Sequence, residues 1–205
     1  ILYVYALSLL VYMSALNRKW KRASTGLLVF VWLLQTGYVA AVLAERESGF
    51  VFMFETLLLF SWLLVTASLA IDRFIRAPLF VFFANVFGFT VLALNLFGRS
   101  DAVPTLGGWN ISDELLFVHV SLALVSYAAF AVSAVFSGMY LMLHEQLKKR
   151  RWSNLMLKMP SLDNIERFAY RSAAVGVPLF LLALALGFDW ILLSGNYSLL
   201  LDPKV

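Results

Sequence analysis

An apolar run from Leu115 to Leu143 carries one ionisable ring, His119, near its beginning. A helix of this length, at about 1.5 Å rise per residue, exceeds the roughly 30 Å hydrocarbon core of a bilayer, so it must tilt or protrude. The run therefore predicts a membrane-spanning helix around which the rest of the chain is arranged.

One face of this helix is small and polar. At about 100° per residue, six side chains fall within about 40° of a common line. They are His119, Ala123, Ser126, Phe130, Ser133 and Ser137. Between helices in lipid, such a face allows close approach and gives hydroxyl groups partners. We therefore expect it to face the interior of a helix bundle and to take His119 with it.

Composition agrees with a membrane protein. In 205 residues, 62% are apolar and 14% charged, and the mean hydropathy is +0.85, which is too apolar for a soluble domain. The net charge of +4 comes from short loops and is a topology signal, so no nucleic-acid partner is expected. The chain contains no cysteine, which excludes disulfides and thiolate metal sites within it.

Six apolar runs predict an all-α, polytopic transmembrane helix bundle. The first run lacks a basic flank and a cleavage site, so we interpret it as a membrane helix whose beginning is missing rather than as a signal peptide. The runs are Ile1 to Leu16, Thr25 to Ala44, Val51 to Ile71, Pro78 to Phe97, Glu114 to His144 and Ala169 to Ser194.

The basic residues alternate between loops. Three loops are strongly basic, and because basic loops stay in the cytoplasm, the start of the chain should lie outside. His119 then lies near the outer face. The basic loops follow the first, third and fifth spans and contain Arg18, Lys19, Lys21, Arg22, Arg73, Arg76, Lys148, Lys149, Arg150, Arg151, Lys158 and Arg167.

Further polar residues share the depth of His119. Glu55, Asn95, Asp189 and Trp190 fall near the outer ends of their helices, and Gln35 and Asn85 extend a polar seam inward. Intramembrane polar residues usually face partners or a cavity. Contact with water and headgroups explains those near the interface equally well, and for Trp190 the interpretation as an ordinary interface anchor is favoured.

Catalytic chemistry is poorly supported. His144 lies beside Glu145 at the opposite membrane face, where a solvated helix end explains it, and two histidines at opposite faces cannot share a metal ion. Ser126, Ser133 and Ser137 have no base within a turn, and no glycine-rich phosphate-binding loop or pair of catalytic carboxylates is present. We therefore predict a protein that is not an enzyme.

A lone histidine on an outward, partly apolar face suits axial ligation of haem iron. Aromatic residues such as Phe117, Tyr127 and Trp190 would wall such a site, although plain packing accounts for most aromatic residues in a membrane bundle.

Several segments carry a resemblance to a known family. HVSLALVSYAAFAVSAVFSGMYLMLHEQLKKR, the following MPSLDNIERFAYRSAAVGVP, the late Asp202-Pro203-Lys204 and FETLLLFSWLL at Phe54 to Leu64 resemble the cytochrome c assembly superfamily, which includes CcsA, ResC and CcmC. The resemblance implies a bacterial cytoplasmic membrane protein that handles haem at the outer face. It also implies that His119 is an axial ligand of the haem iron.

Departures from the family pattern refine this expectation. The stretch before Asp202 reads LSGNYSLLL and lacks the tryptophans of the family's haem-docking loop. It is more similar to the HemX-like branch, which is implicated in restraining haem synthesis through glutamyl-tRNA reductase. The family has eight helices, so residues 1–205 are interpreted as a single transmembrane domain of this type whose C-terminal part, with a second external histidine, is missing.

Three functions stay open at this point. The first is a HemX-like haem-binding regulator of tetrapyrrole supply, and the second is a subunit that moves or presents haem to cytochrome c assembly proteins. The third is a proton-linked carrier or channel that uses His119 and Glu55. For a haem site, Glu55 is the first candidate to hold the second ring nitrogen of His119, with Asn95 as the second candidate.

The loop from Glu145 to Arg167 combines four consecutive basic residues with apolar side chains that include Trp152 and Leu155. One interpretation is an amphipathic segment resting on anionic headgroups, where each basic residue contributes about 1 kcal/mol. The other is a docking site for a soluble partner such as the reductase, with apolar anchors inside a basic rim.

Cysteine labelling tests the orientation, because a cysteine introduced into this chain is its only thiol. A cysteine in place of Ser153 should resist a membrane-impermeant reagent in intact cells, whereas one in place of Ser100, in a predicted outer loop, should react. Labelling at position 153 in intact cells would show that the topology is inverted and that the site lies inside.

Overall fold

The computed structural model describes residues 1–15, 21–45, 53–75, 77–97, 111–149 and 159–194. Within these ranges all regular structure is α-helical, which confirms the predicted all-α class. The helices are α1 (Leu2–Ala15), α2 (Lys21–Glu45), α3 (Met53–Ile75), α4 (Pro78–Phe97), α5 (Ile111–Lys148) and α6 (Leu162–Ser194).

Four of these helices contain stretches that are long and apolar enough to cross a membrane: Ala23–Ala41, Thr56–Ile75, Leu115–Lys148 and Leu162–Leu193. In α1 and α4 the apolar stretches within the described residues are shorter, Leu2–Ser14 and Pro78–Leu94. With 20 residues, α4 as a whole extends about 30 Å, close to the thickness of the hydrocarbon core. The chain is thus a multi-pass helical membrane protein.

The sixth helix begins earlier than its apolar run predicts. It starts at Leu162 instead of Ala169, directly after Pro160 and Ser161. Its first turns are amphipathic: Ile165 is buried, whereas Asp163 and Arg167 form an exposed ion pair of 3.0 Å at i, i+4 spacing. A hydropathy pattern detects only the lipid-facing length of such a helix, so it does not predict the charged first turns of α6.

The helices form a connected bundle in which α5 joins α6 to the other helices. α1 packs against α2 and α4, α2 against α3, and α3 against α4. α5 contacts α3 and α4 on one side and packs against α6 over most of its length on the other. α6 makes its main contacts with α5, so its remaining surface is largely exposed and apolar.

Two tryptophans join α2 to α3 by reciprocal hydrogen bonds. The indole nitrogen of Trp32 donates to the Thr66 hydroxyl, and that of Trp62 donates to the Thr36 hydroxyl, each at 2.9 Å. Each threonine hydroxyl in turn donates to the backbone carbonyl of the tryptophan four residues before it on its own helix. Both indole donors are therefore satisfied without water.

Buried polar side chains also join α1, α3 and α4. Asn85 accepts a hydrogen bond from the Tyr5 hydroxyl at 3.0 Å and donates to the Ser68 hydroxyl at 2.8 Å. Nearby, the amide nitrogen of Gln35 donates to the Ser61 hydroxyl at 3.2 Å. Asn85 and Gln35 are both fully buried inside the bundle, whereas the side chains of Glu55 and Asn95, where the predicted polar seam begins, lie outside the described residues.

A stack of three phenylalanines connects α4, α5 and α6. The ring centroids of Phe80 and Phe136 lie 4.2 Å apart, and the two rings are nearly parallel. The ring of Phe168 also stacks on Phe136, with centroids 5.6 Å apart. Phe80 and Phe136 are completely buried. Through this stack, the beginning of α6 packs against the side of α5 that faces the core.

Replacing Asn85 with leucine should lower the free energy of unfolding by about 1–3 kcal/mol, because the buried Tyr5 hydroxyl loses its acceptor. Thr90→Val is the matched control on the same helix, since the Thr90 hydroxyl is exposed and bonds only to its own helix. Thr90→Val should change the free energy of unfolding by no more than about 0.5 kcal/mol. Tryptophan fluorescence during unfolding in detergent measures both, and equal effects would refute a structural role for Asn85.

Candidate functional site

The polar stripe of α5 is the surface on which α6 packs. The Ser133 hydroxyl donates to the Ala169 carbonyl at 2.8 Å, and the Phe130 ring lies directly against Gly176. Ser126 is buried and bonds to the Ala123 carbonyl of its own helix at 2.7 Å. The prediction that this stripe faces a neighbouring helix is therefore confirmed over most of its length.

Ser137 is the exception, because its side chain is exposed. At this level α6 leans toward the core face of α5, where Phe168 stacks on Phe136. The face that carries Ser137 is thus left uncovered, and its predicted interior position is wrong.

His119 lies against the backbone of α6. Its Nδ1 forms a 2.5 Å hydrogen bond to the carbonyl oxygen of Ala183, and the side chain is only partly buried. The ring packs over Gly187, where an added Cβ would stand 2.6 Å from the His119 Cε1 atom. The imidazole is thus held by a backbone carbonyl and a glycine surface of the adjacent helix.

Trp190 follows Gly187 by about one helical turn on α6. Its indole nitrogen is buried and has no hydrogen-bond partner among the described residues, whereas its neighbour Asp189 is exposed. Within the described part of the chain, this nitrogen is thus a buried donor without an acceptor.

Tyr127 lies about two turns deeper along α5 than His119. Its side chain is 49% exposed, and its ring packs near Phe180 of α6 with centroids 5.7 Å apart. It therefore shares the α5–α6 interface with His119.

Glu55 and Asn95 lie on α3 and α4, but their side chains fall outside the described residues. The described partner of the His119 ring nitrogen is the Ala183 carbonyl, the role for which Glu55 and Asn95 were the sequence candidates. Sequence reasoning missed Ala183 and Gly187. The available signal was the pair of glycines, Gly176 and Gly187, spaced along the apolar helix that follows the stripe.

His144 is exposed and stacks on Tyr140 of its own helix, with ring centroids 6.0 Å apart. It follows His119 by 25 residues on one continuous helix, a separation of about 37 Å at 1.5 Å per residue. The two histidines cannot share a ligand. Among the residues described, no group of three His, Asp or Glu side chains is arranged to hold a metal ion.

The geometry defines a class: a multi-pass α-helical membrane protein with a partly exposed histidine held at one end of the α5–α6 helix pair. Residues 50–204 match the family model described as cytochrome c assembly protein. The chain belongs to this cytochrome c assembly family.

Curated relatives agree with this assignment. The chain is 42% identical over 208 residues to Protein HemX of Brevibacillus brevis, an alignment that covers 100% of this chain and 76% of that protein. It is 34% identical over 206 residues to Protein HemX of Bacillus subtilis (strain 168), covering 98% of this chain and 75% of that protein. No solved structure matches the chain.

Proposed function

We propose that this chain is a HemX-like membrane protein that binds haem through His119 and regulates tetrapyrrole supply by restraining glutamyl-tRNA reductase. The observation that carries the proposal is the way in which the imidazole of His119 is held. One ring nitrogen is bonded to α6 and the ring remains partly exposed, in a chain of the cytochrome c assembly family.

A lone histidine fits haem better than a free metal ion. A bare ion needs about four ligands from the protein, and the described residues offer no such group. Haem brings four nitrogen ligands in its own macrocycle, so the protein has to supply only axial ligands. The hydrogen bond from the other ring nitrogen to a carbonyl is the usual arrangement of a ligating histidine.

The surroundings of His119 suit a flat, largely apolar molecule. Phe117 and Val118 on α5 and Phe188 on α6 expose large apolar surface next to the contact between the helices. The buried indole nitrogen of Trp190 would donate to a polar edge group of the ligand, such as a haem carboxylate. Tyr127 would extend the wall inward, and Glu55 and Asn95 stay candidates for the facing side.

Haem bound here would supply an iron centre whose occupancy follows the amount of haem in the membrane. We further propose that residues 1–205 form one domain in the bacterial cytoplasmic membrane with the start of the chain outside, so that His119 is near the outer face. Haem delivery to cytochrome c is the less supported alternative, because the stretch before Asp202, outside the described residues, has no tryptophan.

His119→Ala in the full-length protein should abolish or strongly shift the Soret band of bound haem, because the axial ligand is lost. His144→Ala is the control and should leave the spectrum unchanged, since that ring stacks on Tyr140 far from the site. Added imidazole should partly restore the His119→Ala spectrum. A haem spectrum unaffected by His119→Ala would overturn the assignment.

The loop between α5 and α6 is the proposed contact for the reductase. Trp152 and Leu155 lie outside the described residues and are the apolar anchors of its sequence. Replacing both with alanine should abolish co-purification of glutamyl-tRNA reductase and leave membrane insertion intact. Co-purification at the original level would favour the interpretation that this loop rests on lipid headgroups.

A further inference from the structure

We propose that Gly187 is a positioning residue for His119: it lets the imidazole lie against α6, where the Ala183 carbonyl selects the tautomer that leaves Nε2 free to bind. What Nε2 binds rests on the proposed function. The positioning itself is a property of the ligand-free chain and is tested separately.

The hydrogen bond determines which nitrogen carries the proton. A backbone carbonyl has no hydrogen to give, so at 2.5 Å from Ala183 the Nδ1 atom of His119 must be the donor. In a neutral imidazole the other nitrogen, Nε2, then holds the lone pair. The ring is therefore set as a ligand through Nε2.

Gly187 makes this contact possible. A Cβ at this position would stand 2.6 Å from Cε1 and 2.7 Å from Nδ1 of His119, and side-chain carbons essentially never approach other atoms closer than 3.0 Å. The two nearest atoms belong to the same edge of the ring that makes the hydrogen bond. Any side chain at Gly187 must therefore displace the part of the imidazole that reaches Ala183.

The helices cannot easily separate to relieve such a clash. Further along the same interface, Ser133 bonds to the Ala169 carbonyl, and Phe130 lies against Gly176 with a spacing as tight as that at Gly187. These contacts fix the separation and register of α5 and α6. The His119 ring is at the end of the helix pair and partly exposed. We therefore expect a side chain at position 187 to displace the ring rather than separate the two backbones.

Loss of the hydrogen bond would have two consequences. The Nδ1–H form would lose its acceptor, which allows the proton to occupy Nε2 instead, and the ring would no longer be aimed by α6. Removing the group that orients a metal-ligating histidine typically costs 10–100-fold in affinity, so a fall in haem affinity of about this size is expected in Gly187→Ala.

The tautomer can be read directly by long-range proton–nitrogen NMR correlation on haem-free, full-length protein with ¹⁵N-labelled histidine in nanodiscs. The signal of His119 is identified as the one that is lost in His119→Gln. In the wild type, His119 should be protonated on Nδ1. In Gly187→Ala the signal should shift toward the Nε2–H form or a mixture. Protonation on Nε2 in the wild type would overturn the proposal.

Two other glycines provide matched controls. Gly138→Ala meets nothing within 4 Å and controls for the change in helix propensity. Gly176→Ala would press on Phe130, with a Cβ 2.7 Å from its Cε1 atom, and controls for general disturbance of the α5–α6 contact. Both should retain the Nδ1–H signal of His119. The same shift in Gly176→Ala as in Gly187→Ala would refute a specific role for Gly187.

A double-mutant cycle covers the case in which Gly187→Ala purifies poorly. If its defect comes from the clash with His119, then adding His119→Ala removes the obstacle and should restore the unfolding temperature. An equal loss of stability from Gly187→Ala in both backgrounds would overturn the proposal. Neither readout uses haem, so absence of haem binding in the wild type would refute the proposed function while leaving the positioning role intact.

Discussion

Lipid offers no hydrogen-bond partners, so every polar side chain inside a membrane-spanning bundle must find one on a neighbouring helix or on its own backbone. Helices α1 to α4 meet this requirement with each other. Asn85 joins three of them through Tyr5 and Ser68, and the tryptophan–threonine pairs close the contact between α2 and α3. In this part of the protein most polar side chains thus bond to one another, although the Tyr12 hydroxyl and one oxygen each of Gln35 and Asp72 are buried without a partner among the described residues.

The α5–α6 pair meets the same requirement differently. Its helices approach closely through small residues, so that Ser133 and His119 reach carbonyl oxygens of the facing backbone. The serine hydroxyl donates its only hydrogen in such a bond, but an imidazole has a second ring nitrogen that remains available. Among the described residues α6 packs mainly on α5, so the apolar surface beside His119 is exposed.

The sequence predicted the elements and the facing surface well, because both follow from periodicity. The apolar runs located the helices, and the stripe of α5 identified the side that meets another helix. Ser137 departs from the pattern because α6 turns toward Phe136. A helical wheel describes a single helix and does not predict the angle at which a second helix crosses it. The glycines of α6 were a signal for close packing, but the role of Ala183 was not predictable. Every residue has a carbonyl, and only the register of α6 along α5 determines which one a histidine meets.

The α5–α6 pair also connects the two membrane faces. His119 is near one end, and the basic loop with Trp152 joins the two helices at the other, so both proposed sites belong to one hairpin. Coupling between distant sites requires an element with two discrete arrangements that both sites bias. The tight contacts at Gly176 and Gly187 hold α5 and α6 in one register, so the pair is a fixed connection between the two proposed sites rather than such a two-state element.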